Sequence, residues 1–432
     1  MDLIDLRLAE ASQPPASTLL QSPAYSERFR TKLHRRAVLG GLLVAADSLG
    51  SAQAAGPRTQ DQPLSGAALP VFAYVGCRTT KERNARGEGI RVFKVDPASG
   101  AWTPVQLLSG LVNPSFLAFD RGYRHLYAVH GDMSEVSAFR IDPGSGELTL
   151  LNTQSTRGRN PVHLVTDPSD RFLIVANYAT GTLAVLPRRA DGGLDPVVHT
   201  LALPGTPGPN RFEQTSSHPH EVAFDRANRF LIVPDKGLDR VFSLRFDADD
   251  GAFVGEPTLV QVRPGAGPRH AVQHPSAPFF YVAHELDSSV GAYRYDVGTG
   301  TLTPFQILPS IPDTVTGANT AAEIAITPSG RFVYVSDRGG DGIRGFAVDG
   351  ADGRLTPIGW TLSGGKGPRF FAIAPGGRHL YAANETSDTI IPFVIDAETG
   401  RLDRAGDPIE TGSPVCIVFS PSAMPDGNVA RP

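Results

Sequence analysis

HPHEVAFDRANRFLIVPDKGLDRVFSLRFD (218–247) and GPRHAVQHPSAPFFYVAHELDSSVGAYRYD (267–296) are two versions of one structural unit. Each opens on a turn residue followed by proline and runs through an apolar strand to a polar turn. Each then continues into an aromatic-rich strand and, after another turn, a third alternating one. The same pattern starts at Asn113, Asn160, Ala321 and Gly367, so the six starts lie 46 to 58 residues apart. Within the units the apolar residues alternate and are mostly Val, Ile, Phe and Tyr, which suits half-buried strands rather than helices. A self-similar period of this length, with four short strands per unit, predicts an all-β chain folded as a β-propeller.

The two ends of the repeat are incomplete in complementary ways. Phe72–Gly76, Ile90–Val95 and Trp102–Leu107 supply three strands with no innermost strand before them, and 413–419 supplies an innermost strand with nothing after it. Together they make a seventh blade. The expected fold is therefore a seven-bladed propeller of four-stranded blades over residues 70–420, closed by N-terminal strands pairing with the C-terminal strand. Such closure leaves no open radial gap. The chain has two cysteines, and Cys77 and Cys416 fall on these joining strands. Antiparallel pairing would bring them close, either as a disulfide clasp in an oxidising compartment or as two buried thiols.

With 46 glycines and 37 prolines among 432 residues, the composition suits a fold made largely of turns. A net charge of −4 leaves no electrostatic footprint for nucleic acid. No apolar run is long enough to cross a bilayer, so no membrane partner is expected of the mature chain. The first 54 residues read differently. Arg35-Arg36 is followed by AVLGGLLVAA and then by Ala52-Gln53-Ala54, a small-x-small cleavage pattern. This order of charge, apolar run and cleavage site is that of an export signal of the twin-arginine type, cleaved near Ala54. It implies the matching export machinery as a partner and a periplasmic or secreted product. Residues 55–69 read as a flexible lead-in and 421–432 as a disordered tail.

In a propeller the loop into the innermost strand and the loop after the second strand open on one face. Aligning the units at the strand entrance gives Ser115, Val162, His220, Arg269, Glu323, Arg369 and Val415. Aligning the ends of the second strands gives Cys77, Gly131, Tyr178, Lys236, Glu285, Arg338 and Glu385, preceded by turn-type residues that include Asn177, His284 and Asn384. Small or apolar residues would satisfy a purely structural ring, so a converging set of both charges on blades four to seven is a site signal. Asn177 and Asn384 either cap turns or face a ligand. Strict alternation sends His163, Glu221 and His270 away from the channel. Asp96, Asp142, Asp247, Asp296 and Asp396 precede Gly-containing hairpins and are turn chemistry rather than metal ligands.

At these positions the chain resembles the lactonase family of seven-bladed propellers, which includes cycloisomerase-type 6-phosphogluconolactonases and carboxymuconate-lactonizing enzymes. The resemblance spans essentially residues 70–420. It rests on Asn177-Tyr178 with Gly181, His218-Pro219-His220, Asp235-Lys236-Gly237-Leu238-Asp239-Arg240, Gly267-Pro268-Arg269-His270, His284-Glu285-Leu286, Ala322-Glu323-Ile324 and Asp337-Arg338-Gly339. It departs at His284, where the family more often has Asn. The resemblance implies a catalytic set of His220 (or His218), Arg269, Glu285 and Arg338. Around it, His218, Arg369, Glu323, Asn177 and Asn384 are expected to contact substrate. Guanidinium groups would stabilise the oxyanion formed at a lactone carbonyl and hold an anionic substituent, while Glu285 or His220 moves protons. No cofactor is expected, and the arginines in the ring argue against a metal there. The expected activity is hydrolysis of an anionic sugar-derived or related lactone. A muconate-type cycloisomerase and a non-catalytic ligand- or protein-binding propeller are the alternatives.

Overall fold

A computed structural model describes residues 71–421. The export segment, the lead-in and all but Pro421 of the tail lie outside the described residues. The rest forms seven antiparallel sheets, each with its innermost strand beside that of the next blade, and the last meets the first again. The innermost strands of blades two to seven are Pro114–Phe119, Pro161–Thr166, Ala223–Phe224, Pro268–Gln273, Thr320–Ile326 and Pro368–Ile373. In blade one that place is taken by Pro414–Phe419, which pairs with Val71–Cys77 from Ala73 opposite Phe419 to Cys77 opposite Pro414. The expected closure is therefore present. The only helix among the described residues is the single 3₁₀ turn Lys81–Arg83.

The second strand of each blade is covered on both faces, so its residues are buried without alternation, as in Phe279–His284. Outermost strands such as Leu148–Ser155 expose every other residue or more. Neighbouring blades are tied by one repeated device. A fully buried tyrosine of the second strand donates its hydroxyl to a glycine carbonyl in the next blade's hairpin. The pairs are Tyr74 to Gly146, Tyr127 to Gly192, Tyr281 to Gly353, Tyr334 to Gly400 and, across the closure, Tyr381 to Gly100, at 2.7–2.9 Å. At the closing junction Trp102 also packs against Phe93, Tyr381 and Phe419. The hairpin aspartates behave as expected. Asp96, Asp142, Asp247, Asp296 and Asp396 each accept backbone N–H bonds from the turn that follows.

Cys77 and Cys416 are both buried and unbonded to one another, and Cys416 lies opposite Gly76 rather than Cys77. Burial pushes the Cys77 thiol up to about 12.

Candidate active site

Two backbone features place the side chains at the channel mouth. After each second strand, the next residue's N–H returns to the carbonyl of the residue just before the innermost strand's proline. The donors are Arg78, Gly131, Tyr178, Lys236, Glu285 and Glu385, at 2.7–3.1 Å, and Arg338 is held by its pairing with Thr320. This corrects the expected ring by one residue. Cys77 is the last strand residue of blade one, and Arg78 is the member that stands over the channel. The second feature is a bulge at the start of the innermost strands, as between Pro268 and His270 or Pro114 and Phe116.

A bulge places two successive residues on one side of a strand. Strict alternation therefore fails here, and His163, Glu221 and His270 do not point into blade contacts as expected. They occupy the channel with Phe116, Glu323 and Phe370. Contacts between non-adjacent blades prove this placement: Phe116 and His270 have ring centroids 6.1 Å apart, and His163 and His270 5.5 Å apart. The bulge in blade six spans Ala321 to Ile324, so Ala322 takes the Arg269 position and Glu323 sits one step deeper. In blade four the innermost strand shrinks to Ala223–Phe224, and a single bridge between Pro219 and Asp235 holds the segment carrying His220.

Glu285 is the electrostatic centre of the mouth. Its carboxylate lies 2.9 Å from Lys236 Nζ, 3.1 Å from Arg269 Nε and 3.3 Å from Arg338 Nη2. Burial alone would raise its pKa, but Arg338, Lys236 and Arg269 together hold it far below the usual carboxylate range. Arg269 is anchored further by donating to the Ala322 carbonyl at 2.7 Å, and Arg338 by donating to the Ala321 carbonyl at 3.2 Å. Lys236 also pairs at 2.7 Å with Glu213, which comes from the long connection between blades three and four, and lies over the Tyr178 ring.

Below this ion cluster lies a hydrogen-bonded chain. His220 Nδ1 is 3.2 Å from His270 Nε2, and His270 Nδ1 is 2.9 Å from Glu323 Oε2. Burial, reinforced by Arg269, keeps His220 and His270 well below the usual histidine value, so both are neutral at pH 7. Burial pushes the Glu323 carboxyl up to about 8, although Arg269 opposes it. Glu221 is likewise raised by burial and accepts a bond from the Ala271 N–H.

His220, Arg269 and Arg369 line one narrow recess together with Arg78 and Ser115. Glu285 joins it through its contact with Arg269, and Arg338 through its contact with Glu285. The other expected substrate contacts are placed elsewhere. His218 stacks on Tyr178 at 4.5 Å and faces the Tyr178 carbonyl at 2.9 Å, so it supports the rim. Asn177 and Asn384 are fully buried within their blades and donate to the Thr156 and Ser363 carbonyls. His284 occupies the equivalent place in blade five, hydrogen-bonded to Ser289 and Tyr293, which is how it substitutes for Asn there. A wider cleft of about 480 Å³ lies at the opposite end of blades one and two, against Phe72, Tyr123 and Pro143. It contains none of the ring residues, and the converging charges make the smaller recess the candidate site.

The comparisons with known proteins agree with this fold. Residues 72–419 match the family model described as Lactonase, 7-bladed beta-propeller. The 6-phosphogluconolactonase of Bacillus subtilis is 33% identical over 300 residues, covering 69% of this chain and 83% of that protein. That of Formosa agariphila is 32% identical over 308 residues, covering 68% and 84%. Among solved structures, a periplasmic gluconolactonase of Pseudomonas aeruginosa superposes with a TM-score of 0.74 at 32% identity, covering 82% of this chain and all of that one. A putative 6-phosphogluconolactonase of Bacteroides fragilis superposes with a TM-score of 0.75 at 29% identity, covering 83% and 100%. With the family model spanning the whole propeller, the chain belongs to the lactonase family of seven-bladed β-propellers.

Proposed function

We propose that the protein is an exported, metal-independent lactonase that hydrolyses an anionic sugar-derived lactone of the 6-phosphogluconolactone kind. One observation carries this reading. A neutral histidine at the head of a hydrogen-bonded chain ending on a carboxyl group shares a recess with the guanidinium groups of Arg78, Arg269 and Arg369, at the mouth of the channel. The curated relatives named 6-phosphogluconolactonase support the substrate class.

The electrostatics divide the work between the two groups expected to move protons. Glu285, held far down by three cations, is a weak base, and its role is to position Arg269, Arg338 and Lys236. With Glu323 ionised, His270 Nδ1–H donates to it, His220 Nδ1–H donates to His270, and His220 Nε2 is left with a free lone pair. That nitrogen takes a proton from water as the water oxygen bonds to the lactone carbonyl carbon. The His220 Nδ1 proton passes to His270 and the His270 Nδ1 proton to Glu323, so the chain ends neutral. The new oxyanion is met by Arg269 and Arg338 without reorganisation. As the tetrahedral carbon collapses, the ring C–O bond breaks. The leaving oxygen takes the proton back from His220 Nε2 while the chain resets, giving the open hydroxy acid.

A lactone panel read by acid release tests this: glucono-δ-lactone, its 6-phosphate and muconolactones. Turnover of none of these would refute the proposal. Turnover of muconolactone to a muconate without net hydrolysis would favour the cycloisomerase reading, which the surplus of guanidinium charge also suits. Export rests on the Arg35-Arg36 signal and on the periplasmic placement of the similar Pseudomonas aeruginosa protein. Cell fractionation that finds only uncleaved protein in the cytosol would refute it.

A further inference from the structure

The corner of the mouth between blades one and two has no part in the chemistry proposed above, yet it holds buried polar atoms that make no hydrogen bond. Arg78 is 3% exposed, and its Nε and Nη1 make no hydrogen bond. The buried Ser115 hydroxyl makes none either. Both converge on Gly131. A Cβ there would lie 2.4 Å from Arg78 Nη1 and 2.6 Å from Ser115 Oγ. Gly131 is not among the glycines at positive φ, so its lack of a side chain serves space and not backbone conformation. Every other member of that ring carries a side chain. Buried polar groups without partners are rare in native proteins and call for a reason.

The charges around this corner do not cancel. Asp132 is 3.6 Å from Arg78 Nη1 but is chelated by both Nε and Nη2 of Arg83. Glu385 is 4.0 Å from Arg78 Nε and equally far from Arg369 Nε. Three guanidinium groups thus share two carboxylates and leave one positive charge. Burial, followed by repulsion from Arg369 and Arg83, pulls the Arg78 guanidinium down to about 10, so it stays charged at neutral pH and gains from an added anion. Arg78, Ser115 and Arg369 line the same recess as His220 and Arg269. A molecule whose carbonyl sits at Arg269 can therefore place a remote anionic group in this corner.

We propose that Arg78, the Ser115 hydroxyl and Arg369 form an oxyanion subsite for the group the substrate carries away from its reacting carbonyl, a phosphate monoester. Arg269 and Arg338 then serve the reacting end alone. This rests on the lactonase reading but is tested separately from it. In one arm, inorganic phosphate is titrated calorimetrically into the parent, Arg78→Gln, Ser115→Ala and Gly131→Ala. In the other, the ratio of kcat/KM for the 6-phosphorylated lactone to that for glucono-δ-lactone is measured in the same four proteins.

Charge-assisted hydrogen bonds predict that Arg78→Gln and Gly131→Ala weaken phosphate binding by about 10- to 100-fold and lower the ratio by the same factor. Ser115→Ala lowers both by about 3- to 10-fold. Unchanged phosphate affinity and an unchanged ratio in both Arg78→Gln and Gly131→Ala would overturn the subsite. If Arg78→Gln does not fold, Gly131→Ala decides. With muconolactone assayed in the same four proteins, a loss confined to it, with the phosphorylated lactone unaffected, would overturn the phosphate assignment in favour of a carboxylate. A parent that hydrolyses no lactone refutes the proposed function, while the phosphate titration still decides the subsite.

Discussion

Glu323→Gln isolates the far end of the proton chain. The amide keeps the size of the carboxyl and can still hydrogen-bond His270 Nδ1, but it cannot hold the proton that His270 passes on. In the proposed mechanism, the base form of His220 requires Glu323 ionised. With that carboxyl pushed up to about 8, the competent fraction is about 1% at pH 6, about 10% at pH 7 and about half at pH 8. After subtraction of spontaneous hydrolysis, kcat/KM of the parent should rise close to tenfold per pH unit between pH 5.5 and 7.5 and level off above pH 8.5. Glu323→Gln should lose about 10²- to 10⁴-fold in kcat, the usual worth of a general base, with little change in KM. Its profile should be flat across the same range.

The sign of the stability effect follows from the same shift. The folded pKa lies above the ordinary glutamate value of 4.5, so the stability tied to the protonated form is present at low pH and is lost as pH rises toward 8. Glu323→Gln should therefore melt at a higher temperature than the parent above pH 8. A variant that keeps the rising profile, or loses less than about fivefold in kcat, would refute the chain of proton transfers.

Arg269→Ala removes the proposed oxyanion donor and one of the three cations at Glu285, and should cut kcat by about 10²- to 10³-fold. A loss seen only in KM would instead make Arg269 a binding residue. Tyr334→Phe deletes the hydroxyl bond to the Gly400 carbonyl and should cost about 1 kcal/mol in urea denaturation, while leaving kcat alone. A thiol reagent should find neither Cys77 nor Cys416 in the native protein, and both after unfolding in guanidinium without reductant. Fewer than two thiols after unfolding would mean that they are bonded.

Much of the site was legible in the sequence because repetition supplies its own template. The units beginning at His218 and Gly267 align without a gap, so His220 and Arg269 could be put on one ring by counting, and Glu285 on the ring above. Counting failed where the template was broken. Blade one is assembled from both chain ends, and its junction offered no neighbour to count against, so Cys77 was put where Arg78 stands. In blade six the bulge covers Ala321 to Ile324 and shifts Glu323 one step deeper than its motif suggests. The rule of alternation also has no means of anticipating a bulge. It sent His163, Glu221 and His270 outward, and so hid the hydrogen-bonded chain behind His220.

The sequence by itself determined the architecture: the period, the alternating strands, the composite closing blade, and the face on which charge gathers. Those follow from local propensity and from the need to bury one set of apolar residues per unit, and both are written in short windows. Tertiary structure alone decided what each charged group does. Lys236, Arg269 and Arg338 reach Glu285 from three successive blades, separated by 33 to 102 residues of chain, and only their convergence holds that carboxylate ionised far below its usual range. Proton affinity and ion pairing depend on distance and burial in three dimensions. Ring closure around a narrow channel sets both.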